Sequence, residues 1–566
     1  MKKENPEKIF DIRKNAELAA LHYLNNFDVR NGYPYFWIEL YGIPPRAWHY
    51  AWDYCDALPR YLQSLAMIRQ MTGRKDKSDR EILMEGNLLN LQNPEDGLFY
   101  RKESNWSLHE AELFDQFITL TAILSLFMEK QDEKYLDVAE KCANGLIKIA
   151  THCNSMVPNQ SYAFFESYSY THGNWNYGIP LDDAYYGGGS HIREFAKLFE
   201  LTGKSKYKDF ANRLVNFITK ISKVFYPDGS FPAIVSNNMD GHFHSRAETI
   251  MGILSFGEKC NDSFSIDFAE KAYNWGKSIG TSFGWFPEIV GYNDVFTTCH
   301  SETCVTVDMM NIACGLARTS NVIYWDDLEK FGVNYLIASQ IKDSNIIRKY
   351  NVDFKEKDNE TFKNIEDIIL GGFHGRFYPN DLIMDMTCFV GMGILIECCG
   401  GAGGRGLYLL WENAVKKMNK GSFINLYLTR ITKDLRVISY FPKFPKIEIE
   451  SLNKSNIFLR KPGWLDKDAI EIKIKEKTIV PVIRNGYFEI GEVNKGEKID
   501  VSFKVSNLKE EEISLGRKYN CEWMGNYMVN IEPKGRRLSP GYGNVANSSL
   551  EEVFKLNEII EPSIIW

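Results

Sequence analysis

The sequence has no long apolar run, which excludes the commonest kind of membrane anchor. No window approaches the roughly eighteen consecutive apolar residues that a membrane-spanning helix needs. The first eight residues are largely polar and lead into no apolar segment of the kind found in secretion signals. We therefore expect neither membrane spanning nor secretion.

A dense basic patch and a disulfide framework are also absent. The formal net charge is −7, and no lysine- and arginine-rich stretch alternates with aromatic residues, so nucleic acid is not expected as the main partner. The 11 cysteines are odd in number and scattered, which is not typical of a disulfide-bonded protein. With most thiols expected to be buried, the reducing cytoplasm is the predicted compartment.

The composition is that of a globular protein with many aromatic residues. The 566 residues are enough for two or more domains with a large core, and 44% are hydrophobic and 25% charged. Aromatic residues make up 14% of the chain and cluster at residues 33–37, 48–52 and 175–177. Such clusters can form flat faces on which a sugar ring stacks, and the alternative for each cluster is the hydrophobic core.

From about residue 10 to 420, apolar residues recur every three or four positions, which predicts helices. A weak repeat places an aspartate near the start of every second helix, at intervals of 58 to 72 residues: Asp79, Asp137, Asp209, Asp267 and Asp327. Helical hairpins repeating at this spacing stack into an open solenoid or a closed ring, and we favour a ring of about six. The long connectors at residues 164–190 and 371–381 would then gather at one end as a site.

After about residue 420 the apolar period changes to two, which predicts β-strands. Alternating segments at residues 422–428, 446–450, 470–474 and 499–505 are separated by turn sequences such as Asn485-Gly486. The predicted fold class is therefore mainly α with β. A helical ring is expected over residues 1–420 and a β-sandwich over 421–566, with an irregular tail from about Tyr519.

Two segments carry the chemistry. Glu302-Thr303-Cys304 lies 94 residues before the adjacent thiols Cys398-Cys399, which precede five glycines. A glycine run lets a backbone and a ligand approach closely, and neighbouring thiols suit a metal or a disulfide. Three thiols and a carboxylate form a donor set for tetrahedral Zn²⁺, whereas the alternative is three unconnected buried thiols.

Several connector residues are candidate ligand contacts. His242, His244 and His374 fall in connectors, where each either binds a ligand or serves the structure. Glu288 lies among apolar neighbours, so desolvation is expected to raise its pKa and make it a general acid; the alternative is a solvated bystander. Trp175 and the connector residues Asp182 and Tyr185 complete the predicted substrate contacts.

Several segments occur in a specific order along the chain. They are the motif at 302–304, a helix near 324–335, the motif at 398–399, a strand at 423–427, and the segments 458–464 and 485–487. In this order they resemble glycoside hydrolase family 127, the β-L-arabinofuranosidase family, over about residues 50 to 505. The resemblance implies an (α/α)6 barrel followed by a β-sandwich. It also implies a zinc-dependent, retaining exo-acting hydrolase of small oligosaccharides or glycoconjugates.

The same resemblance implies roles for individual residues. Glu302, Cys304, Cys398 and Cys399 match the zinc ligands, and Cys398 also matches the nucleophile. His244 matches a histidine of the substrate pocket. Glu288 is the nearest match to the acid/base, although it lies two residues closer to Glu302 than the family pattern places it. The glycines after Cys399 replace prolines and an asparagine, so the floor of the pocket is expected to differ.

Two other functions compete with hydrolysis. The first is different zinc–thiol chemistry on a helical toroid, as in lanthionine-forming cyclases. Those cyclases carry a Cys-His pair where this chain has Cys398-Cys399, and they lack a β-sandwich. The second is non-catalytic carbohydrate binding with a structural zinc, which a fully ligated four-coordinate metal would favour. The sugar, its linkage and the oligomeric state are left open by the sequence.

Overall fold

The computed structural model describes residues 8–157, 159–176, 188–231, 241–293, 295–348, 350, 354–382, 393–535, 547–554 and 559–566. Helices dominate as far as Ala414, and strands dominate from Val415 onward. The prediction of a helical region followed by a sheet-rich C-terminal region is therefore confirmed. No helix in the described part of the chain is long and apolar enough to cross a membrane.

Most of the main helices pack against the helix that follows them in the chain. Their bounds are α1 Ile12–Asn25, α2 Ala57–Thr72, α3 Asp79–Leu89, α4 Leu113–Lys130, α5 Glu133–Ile149, α6 Ile192–Thr202, α7 Ser205–Asn216, α8 Phe243–Cys260, α9 Ser263–Ile279, α10 Thr303–Thr319, α11 Tyr324–Lys330, α12 Ile337–Ser339, α13 Ile365–Ile369, α14 Glu397–Ala414 and α15 Leu550–Phe554. Two π-helical segments, Phe217–Ile221 and Phe331–Leu336, extend α7 and α11.

Alternate helices lie inside and outside. Helices α2, α4, α6, α8, α10 and α14 contact one another in that cyclic order, with α14 returning to α2. Helices α3, α5, α7, α9 and α11 each pack against the preceding inner helix. Helix α4 is buried on nearly every side, whereas α5 buries one face only, as an outer helix should. The five repeated aspartates all lie in the first two turns of the outer helices.

Short strands connect the helices. They are β1 Lys8–Phe10, β2 Trp37–Glu39, β3 Arg46–Trp48, β4 Ala111–Glu112, β5 Thr151–Cys153, β6 Tyr162–Phe164, β7 Ser169–Thr171, β8 Asn174–Trp175, β9 Glu360–Thr361, β10 Phe377–Tyr378, β11 Asp381–Leu382 and β12 Ile394–Ile396. Strand β12 pairs with β2 and leads directly into α14, so this small sheet sets where α14 begins.

In the part of the chain that the structure describes, strands β13 to β26 form three sheets and β27 pairs with β1. Their bounds are β13 Val415–Met418, β14 Gly421–Ile424, β15 Arg430–Ile431, β16 Leu435–Ser439, β17 Lys446–Ser451, β18 Ser455–Arg460, β19 Ile470–Ile474, β20 Lys477–Ile479, β21 Val482–Arg484, β22 Tyr487–Val493, β23 Lys498–Phe503, β24 Asn507–Ser514, β25 Arg517–Met524, β26 Tyr527–Glu532 and β27 Asn547–Ser549. The sheet orders are β13-β14-β18-β22-β21, β15-β16-β17-β23-β19-β20 and β24-β25-β26.

The sequence periodicity explains how these sheets pack. Buried and more exposed residues alternate along β17 and β23, so each presents one face to the core. The strands predicted at 446–450, 470–474 and 499–505 are present, but β14 ends at Ile424, before the predicted limit of 428. Asn485 and Gly486 form the two-residue turn between β21 and β22, both with positive φ, as a type I′ hairpin requires.

The expected irregularity after Tyr519 is wrong for the residues up to 532. They belong to β25 and β26, which pair in an antiparallel sheet with β24. Apolar residues of this sheet, including Tyr519 and Trp523, form a cluster with Phe283, Trp285 and Phe377 of the helical region. The third sheet therefore packs against the helical region.

Both ends of the described chain are attached to the rest of the fold. Strand β1 pairs antiparallel with β27. Farther on, the Trp566 indole donates a hydrogen bond to Ser125 Oγ over 3.2 Å, near the C-terminal end of α4. The Arg193 guanidinium stacks over the same indole ring, 4.6 Å from its centroid.

One buried histidine links the first connectors. His49 Nδ1 lies 2.7 Å from an Asp53 oxygen, and its Nε2 lies 3.2 Å from an Asp28 oxygen. Burial alone would lower the pKa of His49, but the hydrogen bonds to the two carboxylates outweigh burial and raise it to about 9. His49 is therefore charged at neutral pH.

Candidate active site

A cavity of about 830 Å³ opens where several inner helices begin. Asp56 directly precedes α2, Glu112 precedes α4, His242 precedes α8 and Glu302 precedes α10, while Cys398 lies in the first turn of α14. All five residues line the cavity. Because free backbone amides at helix starts favour negative charge, this end of the helices suits carboxylates and thiolates.

Three thiols and one carboxylate meet at the cavity wall. Glu302, Cys304, Cys398 and Cys399 each offer one ligand atom, and these atoms all lie within 4.8 Å of one another. The Cys304 and Cys399 sulfurs are 3.5 Å apart. Tetrahedral zinc with Zn–S bonds of about 2.3 Å would hold two sulfurs about 3.8 Å apart, so the donor set fits this metal.

The three thiols differ in exposure and acidity. Cys304 and Cys399 are buried, whereas Cys398 is partly exposed and lines the cavity. Burial raises the pKa of Cys304 and of Cys399. Hydrogen bonds from those two thiols lower the pKa of Cys398, with further help from the charge of Arg60. Cys398 is therefore the thiol best placed to be an accessible thiolate.

A buried chain of polar groups supports this thiolate. His244 Nδ1 lies 2.5 Å from an Asp308 oxygen, and Arg60 Nη2 lies 3.3 Å from His244 Nε2. Burial lowers the pKa of His244 to about 4, so the ring is neutral, donating to Asp308 and accepting from Arg60. Arg60 also donates to Asp56. This chain of contacts holds the Arg60 charge near Cys398.

Glu288 lies in the cavity, but its environment is opposite to the one expected. Burial does favour its neutral form. The hydrogen bond from His300 and the positive charge of Arg376 outweigh burial, and they lower the pKa of Glu288 to about 2. The predicted rise of this pKa is therefore wrong. Glu288 is an ion-paired carboxylate, and His242 lies nearby with its Nε2 3.1 Å from a Glu302 oxygen.

The glycines that follow Cys399 belong to a buried helix. They are part of α14, and the space beside them is occupied by protein. A Cβ added at Gly401 would lie 2.5 Å from Arg60 Cβ, and one added at Gly403 would lie 2.2 Å from the Phe373 ring. These glycines thus let α14 pack closely against its neighbours. The expectation that the run admits a ligand is not supported.

The residue before Cys398 is also fixed by buried contacts. The Tyr61 hydroxyl donates to Glu397 Oε2 over 2.5 Å, and His22 Nε2 lies 2.9 Å from the same oxygen. The Tyr23 hydroxyl donates to the Gly400 carbonyl over 2.8 Å. The side chains that make these contacts lie in α1 and α2, and Glu397 and Gly400 lie in α14. The three helices together determine where the two thiols lie.

The other predicted contacts are less well placed. Among the described residues, the cavity lining includes neither Trp175 nor His374. Trp175 packs edge-on against Phe165 and Tyr170, and the buried His374 ring packs against Phe377. Asp182 and Tyr185 lie outside the described residues.

The sequence interpretation missed two carboxylates, and for the aromatic clusters it weighed a ligand-stacking face against the hydrophobic core. Phe36, Trp37 and Trp52, from two of the aromatic clusters, line the cavity. Asp56 and Glu112 also line it, and burial raises the pKa of each to about 7. Each of these two carboxylates directly precedes an apolar helix, and inner helices begin at the cavity. This position in the sequence could have identified both residues as part of the site.

One family model matches part of the sequence. It describes glycosyl hydrolase family 47 and matches residues 99–280. This match covers α4 to α9 and ends before the cluster of three thiols and a carboxylate. No curated protein matches the sequence.

Three solved structures share the fold over most of the chain. A family 127 β-L-arabinofuranosidase from Geobacillus stearothermophilus T6 has a TM-score of 0.59 at 13% identity, covering 91% of this chain and 80% of that one. Another family 127 β-arabinofuranosidase has a TM-score of 0.57 at 16% identity, covering 91% and 78%. A third structure, a glycoside hydrolase, has a TM-score of 0.55 at 12% identity, covering 87% and 82%.

Together these comparisons define a glycoside-hydrolase fold. The similarity to family 127 holds at the level of the fold. Identities of 12–16% do not extend that similarity to activity. The family model that matches is that of family 47, not of family 127.

Proposed function

We propose that this protein is a zinc-dependent, retaining exo-glycoside hydrolase that uses Cys398 as its nucleophile. The observation that carries the proposal is the partly exposed Cys398, which joins two buried thiols and Glu302 at the wall of the cavity. The substrates we propose are small oligosaccharides or glycoconjugates, with a β-L-arabinofuranosyl group as the first sugar to test. The cyclic contacts of the six inner helices support an (α/α)6 barrel within residues 1–420.

We further propose that residues 421–566 form a β-sandwich unit whose third sheet packs on the barrel. The alternating burial along β17 and β23 supports this arrangement. A sheet-rich region of this size also counts against a lanthionine-cyclase-like protein.

The residues that would hold the zinc are Glu302, Cys304, Cys398 and Cys399. When bound, zinc would keep the thiols deprotonated and fix the direction of their sulfurs. His242 hydrogen-bonds Glu302 and so orients its carboxylate. The Arg60 charge partly offsets the negative charge of three thiolates and a carboxylate.

In the first step, the Cys398 sulfur attacks the anomeric carbon of the bound sugar. A carbon–sulfur bond forms, the glycosidic carbon–oxygen bond breaks, and the leaving oxygen takes up a proton. In the second step, water attacks the same carbon and gives up a proton, and the carbon–sulfur bond breaks. Two displacements at one carbon retain its configuration.

Glu288 is the carboxylate that we propose for these proton transfers. In the resting protein it is anionic, as a base for the second step requires. For the first step the proton comes from the hydrogen-bonded pair that Glu288 forms with His300. Burial would lower the pKa of His300, but hydrogen bonds to Cys299 and Glu288 raise it. These contacts favour the protonated form of His300 next to Glu288.

The decisive experiment combines turnover with covalent labelling. A panel of p-nitrophenyl glycosides, including the β-L-arabinofuranoside, is assayed before and after chelation of the metal. A mechanism-based sugar electrophile should then add one label per chain, detected by intact mass spectrometry and located by peptide mapping.

Two thiols in the same cavity make a matched control. Cys299 lines the cavity with Cys398 but lies outside the cluster of four ligands. We expect Cys299→Ser to keep the labelling at Cys398, and Cys398→Ser to lose both labelling and turnover. Labelling of a carboxylate instead of Cys398 would refute the mechanism.

A non-catalytic carbohydrate-binding protein is the second candidate. The observation in its favour is that four protein ligands would complete a tetrahedral zinc site, whereas catalytic zinc usually keeps an open position. One zinc per chain with sugar binding but no turnover on the whole panel would select this function.

A further inference from the structure

The wall of the cavity has a second contributor, which comes from the C-terminal sheet. The hairpin of β24 and β25 supplies Ser514, Leu515, Arg517 and Tyr519 to the lining. Its two-residue turn, Leu515-Gly516, has positive φ at both positions, which fixes how the strand ends project. Arg517 and Tyr519 are two residues apart, so their side chains lie on one face of β25, and Lys518 points to the other.

The hairpin is held firmly against the helical region. Glu512 accepts hydrogen bonds from the backbone and side chain of Ser282. Tyr519 and Trp523 pack in the cluster formed with Phe283 and Trp285. Residues on such a supported strand are preorganised for a ligand, because they lose little freedom when it binds.

Arg517 differs from the other basic side chains of the lining. Each of the others contacts a carboxylate: His242 contacts Glu302, His244 contacts Asp308, and both His300 and Arg376 contact Glu288. Arg517 is exposed and has no ion-pair partner among the described residues. Its guanidinium instead stacks over the Tyr378 ring, 4.9 Å from the centroid, and it interacts with the Tyr519 phenol.

From this we infer that the Arg517 side of the cavity is a subsite for an anionic group on the leaving part of the substrate. The inference rests on the proposed hydrolase function, in which the sugar being cleaved lies against Cys398. The cavity of about 830 Å³ is in the upper part of the range for small-molecule sites, so it has room for a second unit. A guanidinium has five N–H donors, so one that stacks on an aromatic ring and bonds one phenol still has donors for a carboxylate or a phosphate.

Binding without turnover tests the inference. Isothermal titration calorimetry would compare D-glucuronate, D-glucose 6-phosphate and neutral D-glucose on the full-length protein. At least one anionic probe should bind about tenfold more tightly than glucose, which is the effect of one charge-assisted hydrogen bond. The stronger of the two anionic probes tells whether the subsite prefers a carboxylate or a phosphate.

Three variants localise the effect. Arg517→Gln should remove the preference for the anion, and Arg517→Lys should restore part of it. Lys518→Gln removes a charge from the other face of the same strand, where Lys518 pairs with Glu511, and should keep the full preference. Equal binding of charged and neutral probes would overturn the inference. So would equal losses in Arg517→Gln and Lys518→Gln, because the effect would then be one of overall charge.

This experiment is independent of the proposed hydrolysis. If no glycoside is cleaved but the preference for the anion depends on Arg517, the subsite stands and the reaction fails. If glycosides are cleaved without any such preference, the reaction stands and the subsite fails.

Discussion

Replacing Gly403 by alanine should destabilise the protein, although the same change usually stabilises a helix. Alanine favours a helix interior over glycine by about 1 kcal/mol. At Gly403 the added Cβ would lie 2.2 Å and 2.4 Å from atoms of the Phe373 ring, far inside contact distance. Phe373 is fully buried and cannot swing into solvent. Overpacking of this kind costs about 1–3 kcal/mol, and at such a short contact we expect the upper part of that range.

Gly86 provides the matched control. It lies inside helix α3, and a Cβ added there meets nothing within 4 Å. Gly86→Ala should therefore raise the free energy of unfolding by the difference in helix propensity alone, about 1 kcal/mol. The two variants should differ by roughly 2–3 kcal/mol in free energy of unfolding, with opposite signs relative to the parent protein.

Chemical denaturation can measure this difference. Guanidinium unfolding of the parent and both variants should show shifted midpoints with unchanged slopes, since neither change alters the surface exposed on unfolding. If Gly403→Ala is as stable as Gly86→Ala, α14 does not pack as described. If Gly403→Ala keeps the stability of the parent and loses only ligand binding, the glycines do admit a ligand and the reasoning fails.

Three further predictions concern the site and the pH response. Cys304→Ser should lose the single zinc measured by elemental analysis, whereas Cys314→Ser, which removes a buried thiol from the same helix, should keep it. Glu288→Gln should slow glycosides with poor leaving groups far more than activated aryl glycosides, and equal losses would point to another acid. The pKa of His49 is raised to about 9 in the folded protein. The charged side chain therefore makes its full contribution to the free energy of unfolding below pH 6.5, and that contribution is lost as pH rises through 9. The free energy of unfolding should fall by up to about 3 kcal/mol over that window, and His49→Gln should flatten the curve.

The elements that depend on local patterning could be predicted from the sequence. The aspartate repeat marks the outer helices because each outer helix starts after a similar turn. The alternating strands at 446–450 and 470–474 could be predicted because one face of each sheet is buried. Strand β24 was missed because residues 507–511 are all exposed and so show no alternation. Strand β25 does alternate, with Tyr519, Cys521 and Trp523 buried, so it could have been predicted from its pattern. The glycines of α14 were misread because glycine has a low helix propensity, and only tertiary packing explains a helix there.

The meeting of Glu302 with the three thiols was predictable from the sequence, but the electrostatic environment of the cavity was not. Adjacent thiols and the Glu-Thr-Cys motif are unusual enough to stand out in a sequence. The pKa of Glu288 depends on His300 and on Arg376, which lie 12 and 88 residues away in the chain, so its direction cannot be inferred from apolar neighbours. The same holds for Arg60, whose place beside the thiols depends on the small volume of Gly401.

The hairpin of β24 and β25 lies late in the sequence, so this wall of the cavity is synthesised after the other walls. A ribosome adds roughly 5–20 residues per second, so Cys399, the last thiol of the four-residue cluster, is synthesised on the order of ten seconds before Arg517. During that interval the helices can begin to pack while one wall of the cavity does not yet exist. A nascent chain ending near β23 would carry every candidate metal ligand but an open cavity. Complete ligand recognition should therefore appear only after the hairpin has emerged and docked.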